Sequence, residues 1–196
     1  AIAADRPSDV FLGENTYKIR RPYQDVSHQL LKIKTTLERN KHKFNLLLGG
    51  QFNRRKEYDI VRNSTNKNPQ LELSINTFTQ DLNWEHPEIN NFRGVAGISL
   101  MQQDNSSFRR YFIPNYFSFS FGSYFIEKWN KHNWELQAGI RYDHKSINTL
   151  RLKFSGDTVR HSFNFSTLAT SLNANYKINR HGKLNLNIGL ASRAPY

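Results

Sequence analysis

Trp134-Glu135-Leu136-Gln137-Ala138-Gly139-Ile140-Arg141-Tyr142-Asp143 separates into two chemically different sets at every second residue. Trp134, Leu136, Ala138, Ile140 and Tyr142 make one set; Glu135, Gln137, Gly139, Arg141 and Asp143 make the other. A helix would scatter both sets around its circumference, whereas a strand puts each on its own face. The apolar face carries an aromatic at each end. That is the pattern of a lipid-facing strand, with rings at the two headgroup levels.

The same alternation extends in both directions. Leu184, Leu186, Ile188 and Leu190 alternate with Asn185, Asn187 and Gly189, and Phe117, Phe119 and Phe121 with Ser118, Ser120 and Gly122. Leu168, Thr170, Leu172, Ala174, Tyr176 and Ile178 oppose Ser171, Asn173, Asn175 and Lys177. Phe92, Gly94, Ala96, Ile98 and Leu100 share a face; Leu71, Leu73 and Ile75 alternate with Glu72, Ser74 and Asn76; Leu46, Leu48 and Phe52 oppose Asn45, Gln51, Asn53, Arg55 and Glu57. A first strand near 26–38 is the least regular, because Leu30-Leu31 breaks the period. Pro114 cannot donate to a ladder, so a strand starts after it. The expectation is about eight strands, an all-β chain and no helix of consequence.

The connections alternate in character. Residues 40–42, 86–91, 130–133 and 179–183 read as short turns rich in Asn, Pro or Gly. Residues 58–69, 102–115 and 147–161 read as longer polar loops. Short turns on one side and long loops on the other is the outer-membrane arrangement, with the turns periplasmic and the loops extracellular. The fold expected is therefore an antiparallel transmembrane β-barrel segment. Residues 1–25, with Pro7 and Pro22, read as irregular loop, and 26–196 as part of a β-barrel domain.

Composition fits this reading. The 196 residues contain no Cys, which removes thiol nucleophiles, iron–sulfur clusters and thiolate zinc sites. Mean hydropathy is −0.72, which in a helical protein would argue for water. A membrane strand needs only about 9–11 residues, half of them free to be polar. Ala1-Ile2-Ala3-Ala4 is too short for a signal peptide, so export implies a mature or excised chain. The formal net charge is +12, but Lys and Arg are dispersed in ones to threes, so nucleic acid is not the expected partner. Basic groups outside would suit lipopolysaccharide phosphates, and basic groups inside an anionic ligand.

Catalytic patterns are missing: there is no Gly-rich phosphate loop, no HExxH and no GxSxG. Ser162 adjoins His161, but neighbours in a strand face opposite ways. No enzyme and no cofactor is expected. His144 and His161 flank one loop near Asp143 and are the weak candidates for a metal. Gln51, Asn53, Arg55 and Glu57 line one face near the outer end of a strand. They read either as solvated wall or as a contact for a ligand or plug. Phe108, Arg109, Arg110, Tyr111 and Phe112 are the loop residues suited to an anionic, partly apolar ligand.

Several stretches together resemble one family. Gly50–Asp59 resembles the GxQxNxRxEFD-like stretch of TonB-dependent outer-membrane receptors. Trp134–Asp143 is similar to their W-x-L-x-A-G-x-R-Y-D strand, and Leu172–Ile178 with Leu184–Pro195 to the next hairpin, including its G-x-x-x-R-x-P end. Pro114-Asn115-Tyr116 before a descending strand also fits. The resemblance covers about residues 20–196. It implies a piece of a larger barrel of about 22 strands, without its plug domain and closing strands. It also implies a parent that takes up a scarce nutrient, such as an iron chelate, haem or a metal. The implied partners are outer-membrane lipid, the small ligand and the energy-coupling protein TonB; the implied location is the outer membrane of a Gram-negative bacterium. A small structural or adhesive barrel, or a barrel enzyme, is the alternative.

Overall fold

The computed structural model describes residues 19, 21–60, 68–109, 113–152 and 156–194. Eight strands follow one another: β1 (Tyr23–Arg39), β2 (His42–Tyr58), β3 (Leu71–Glu85), β4 (Phe92–Phe108), β5 (Asn115–Lys131), β6 (Trp134–Leu152), β7 (Thr158–Lys177) and β8 (Lys183–Leu190). They form one antiparallel sheet in sequence order, β1 to β8, and the two end strands do not pair with each other. β1 begins at Tyr23, inside the stretch expected to be loop, and its ladder with β2 runs unbroken from Tyr23↔Tyr58 to Arg39↔His42. Leu30-Leu31 does not disturb the ladder, because backbone pairing is indifferent to which side chain faces out.

The strands are longer than the alternating stretches. β4, β5 and β2 have 17 residues each and β6 has 19. At about 3.3 Å per residue such a strand outreaches a hydrocarbon layer of about 30 Å. The surplus lies at the end where long loops were expected. Residues 102–108 belong to β4, and 147–152 and 158–161 to β6 and β7. Polar composition there marks wall standing clear of lipid as much as loop.

At the other end, the turns are held by left-handed backbone. Asn40 and Lys41 have φ of 51° and 67°, and Asn90 and Asn91 have 52° and 69°. Two such residues in succession make the hairpin turn whose twist matches the strands. Ile89 and Phe92 close the second turn by exchanging backbone hydrogen bonds of 3.0 and 2.9 Å. Asn179 braces the fourth, its Oδ1 accepting from the backbone N–H of His181 and Gly182 at 2.8 Å each.

A single-layer sheet has no opposing layer to make a core. Among the described residues Leu71 is the one buried hydrophobic side chain. Large apolar side chains instead cover one face: Phe44, Leu46 and Phe52 of β2, Ile98 of β4, Ile140 of β6, and Leu184 to Leu190 of β8 all stand exposed. Their neighbours in the strands are half-covered, the asymmetry expected when a sheet curves and its inner side chains converge. On the outer face the short-turn end carries directly opposed aromatic pairs. These are Phe44 with Trp84, Phe92 with Trp129, and Trp134 with Tyr176, at centroid distances of 6.4, 6.3 and 4.6 Å. All three tryptophans of the chain lie in this belt.

Candidate functional site

Tracing the ladders across the sheet gives the inner face residue by residue. Gln51, Asn53, Arg55 and Glu57 lie on it together, opposite Thr77, Ile75, Leu73 and Leu71 of β3. Three apolar residues grouped in the alternating pattern with the lipid face therefore point inward. The alternation holds, but which face is apolar changes above the lipid level. The result is a polar row beside an apolar row near the long-connection end. Asn53 is 3.2 Å from His28 Nδ1. Arg55 forms an ion pair with Glu57, and the Gln24 amide donates to Glu57 at 3.4 Å. Arg55 Nε is covered and has no hydrogen-bond partner among the described residues. The exposed part of this row is the rest of the Arg55 side chain, 43% accessible, whose Nη2 is held by Glu57.

The other expected contacts do not join it. Arg109 follows β4 with a φ of 72° and lines a depression with Arg54, Glu72, Ser74 and Phe108. Arg54, Glu72, Ser74 and Phe108 are on the outer face, where Arg54 Nε donates to Glu72 at 2.7 Å. Arg110, Tyr111 and Phe112 lie outside the described residues. His144 faces outward, 3.1 Å from Ser166 Oγ. His161 faces inward against Phe163, 6.2 Å between centroids. The two histidines are on opposite sides of the sheet, and Asp143 is on the inner side, so these three do not converge on an ion. Among the described residues no group of three or more His, Asp or Glu is placed to hold a metal.

A second inner cluster was not singled out from the sequence. Arg141 makes a forked contact with Asp143, Nε to Oδ2 at 2.7 Å and Nη2 to Oδ1 at 2.6 Å. Nη2 also reaches Ser99 Oγ at 3.2 Å. Tyr124 donates its hydroxyl to Asn83 at 2.6 Å and lies 5.7 Å under the Arg141 guanidinium. Gly97 faces Tyr124 across the β4–β5 ladder, and Gly122 faces Asp143 across β5–β6. A Cβ on Gly122 would stand 2.5 Å from Arg141 Nη2 and 2.6 Å from Ser99 Oγ. The glycines thus let a tyrosine and an ion pair lie flat on the wall instead of projecting into the interior. The available signal was two glycines at inward positions, each one strand away from a large polar residue. It is readable only once the register is known.

Farther toward the short turns, four asparagines of β7 and β8 close a ring. Asn173 donates to Asn187, Asn187 to Asn185, Asn185 to Asn175, and Asn175 back to Asn173 at 3.0 Å. Within the ring each amide gives one bond and receives one, an arrangement in which hydrogen bonds polarise one another, and Asn175 donates a further bond to Glu135 at 3.5 Å. Polar side chains therefore predominate on the inner face, interrupted by the apolar row of Leu71, Leu73 and Ile75, and the outer face is mostly apolar below the loop end.

A family model for the TonB dependent receptor-like β-barrel matches residues 4–196. Three solved structures share the fold. The FrpB iron transporter of Neisseria meningitidis aligns over 89% of this chain with a TM-score of 0.65 and 17% identity. The ferric yersiniabactin uptake receptor FyuA of Yersinia pestis aligns over 81% with a TM-score of 0.57 and 13% identity. The ferric citrate transporter FecA, in its unliganded form, aligns over 85% with a TM-score of 0.57 and 14% identity. The chain spans 30%, 27% and 27% of the length of these three. No curated protein matches it in sequence. With a family match over nearly its whole length and an eight-stranded sheet of the corresponding fold, this chain belongs to the TonB-dependent receptor-like β-barrel family.

Proposed function

We propose that this chain forms part of the wall of an outer-membrane receptor that imports a scarce nutrient, an anionic iron chelate before other classes. TonB would couple inner-membrane energy to the import. The observation that supports this most directly is the division of one sheet, below the loop end, into a mostly apolar outer face and a mostly polar inner face. Lipid would cover the first, and a solvated lumen would run along the second. Near the long-connection end, the partly exposed Arg55 side chain beside Leu73 and Ile75 offers charge and apolar contact side by side. A ferric complex with carboxylate or phenolate groups on an organic frame has that chemistry. The three structurally similar proteins are an iron transporter, a ferric yersiniabactin uptake receptor and a ferric citrate transporter, which supports the same reading.

The test uses the full-length protein. It is expressed in a Gram-negative strain lacking its own ferric-chelate receptors, and uptake of labelled iron from a panel of chelates is followed with and without TonB. Uptake of at least one chelate that stops when TonB is removed is the expected result. Uptake that ignores TonB, or no uptake from a protein correctly inserted in the outer membrane, would overturn the reading.

A further inference from the structure

The short-turn end carries more positive charge than its own carboxylates neutralise. Segments 38–43, 85–93, 127–135 and 177–183 hold nine Lys and Arg against five Glu. Four of those Glu are already engaged: Glu38 with Lys43, Glu85 with Arg93, Glu135 with Lys128 and Glu127 with His86. Arg39, Lys41, Lys131 and Arg180 are exposed and have no carboxylate within 4.0 Å among the described residues. None of the four is on the inner face. Arg39 is opposite His42 and Lys131 opposite Trp134 on the outer side, while Lys41 and Arg180 sit in the turns themselves.

Arg39 lies one same-face pair beyond the level of Phe44 and Trp84, Lys131 lies level with Trp134 and beyond Trp129, and Lys41 and Arg180 lie in the turns past this belt. Indole rings mark the headgroup level of a bilayer. Lys131 is two residues beyond Trp129, about 7 Å further toward the turn tips at strand spacing. A cation at that depth meets the phosphodiester layer of the leaflet the turns emerge from. Long basic side chains reach such a layer without withdrawing their methylenes from apolar surface.

The geometry points to a collar for anionic glycerophospholipid headgroups, such as phosphatidylglycerol, in the periplasmic leaflet. It rests on the outer-membrane reading above. The lipid phosphates supply the counter-ions that Arg39, Lys41, Lys131 and Arg180 lack inside the protein. The collar would favour anionic over zwitterionic lipid around the barrel and fix the depth at which it sits.

The test takes the full-length protein in vesicles of zwitterionic lipid containing brominated phosphatidylglycerol or brominated phosphatidylcholine. Insertion is scored separately, by protease protection. Quenching of tryptophan fluorescence then gives the relative affinity of the two lipids for the protein surface. The expected result is a preference for phosphatidylglycerol of about fivefold or more, the effect of one Lys or Arg at an anionic surface. It should shrink in 0.5 M salt, since surface attraction is screened at about 10 Å or less in such solutions, and disappear in the combined Arg39→Gln, Lys41→Gln, Lys131→Gln, Arg180→Gln variant. The salt arm needs no variant to fold. Equal quenching by both lipids in an inserted protein overturns the collar alone, as does a preference that the variant retains. Binding of the wild type to sedimented cell-wall sacculi, with no lipid preference, also overturns it and assigns the cations to cell-wall carboxylates. Failure to insert at all overturns the membrane reading instead.

Discussion

His86 and Glu127 meet across an intervening strand, His86 Nε2 lying 3.1 Å from one carboxylate oxygen of Glu127 and 3.2 Å from the other. The opposite ring nitrogen, Nδ1, is 2.7 Å from the carbonyl oxygen of Pro87. A carbonyl and a carboxylate only accept, so this arrangement is fully hydrogen-bonded when both ring nitrogens carry a proton and therefore favours the imidazolium form. The Pro87 carbonyl and the Glu127 carboxylate accordingly raise the His86 pKa above its ordinary value. The pair clasps the 86–91 turn to β5 over β4.

The first prediction is a pH dependence. The folded-state pKa is raised, so the clasp contributes fully below about 6.5, the value in an unfolded chain. Its contribution is lost as pH rises through the raised value. Denaturant stability of the protein in detergent should fall by about 1 kcal/mol between pH 6 and pH 8.5 from this pair. His86→Ala should lose that part of the slope. A wild type and variant with superimposable pH profiles would show that the clasp does nothing.

Gly94 lies beneath the same clasp. A Cβ there would sit 2.6 Å from the backbone oxygen of Ile126 and strike the Glu127 carboxylate as well. The carboxylate can swing away, but the backbone oxygen cannot move without disturbing the ladder. Gly94→Ala should cost about 1–3 kcal/mol, in the range of overpacking, and flatten the pH dependence just described. Gly189→Ala is the control, because its nearest neighbour would be 3.7 Å away. Equal melting temperatures for the two variants would contradict the steric argument.

Arg55 and Glu57 should respond in opposite directions if their row binds an anionic chelate. Arg55→Gln removes the partly exposed guanidinium charge and should weaken binding about tenfold, the lower end for a hydrogen bond to a charged group. Glu57→Gln removes the carboxylate that competes for Arg55 and should tighten binding or leave it unchanged. Titration calorimetry on the full-length receptor distinguishes these. Loss in both variants would mean that the pair serves the wall and not the ligand.

Strand identity was legible wherever lipid-type alternation is strict. Trp134 opens β6 and Lys183 opens β8 as read from sequence, and the apolar and polar sets of 134–143 take the faces assigned to them. The inward turn of Leu71, Leu73 and Ile75 was not legible. Period 2 separates two faces but does not say which is inside, and above the lipid the hydrophobic set is free to face the interior. The Arg141–Tyr124 cluster was hidden for a different reason. Its members are contributed by four strands, and only the pairing register brings Asn83, Ser99, Tyr124 and Arg141 side by side. The placing of His144 and His161 on opposite faces follows from the same register, which loop proximity in sequence does not reveal.

Ile140 decides the facing of the whole sheet. It stands half-exposed at mid-strand on the outer side, between Phe125 of β5 and Thr170 of β7. An arginine there would place a charge against lipid tails, and the Glu127 carboxylate diagonal to it on the same face is already engaged by His86. The cost expected at the bilayer midplane is about 2–4 kcal/mol. Gln137, three residues nearer the short turn, faces inward between Lys128 and Asn173, and an arginine at that position meets the solvated interior. Folding of the full-length protein into lipid vesicles, followed by denaturant titration, should therefore penalise Ile140→Arg heavily and Gln137→Arg by less than about 1 kcal/mol. The reverse order would mean that the polar face meets lipid and the apolar face lines the interior. Equal small effects would mean that neither face meets a bilayer.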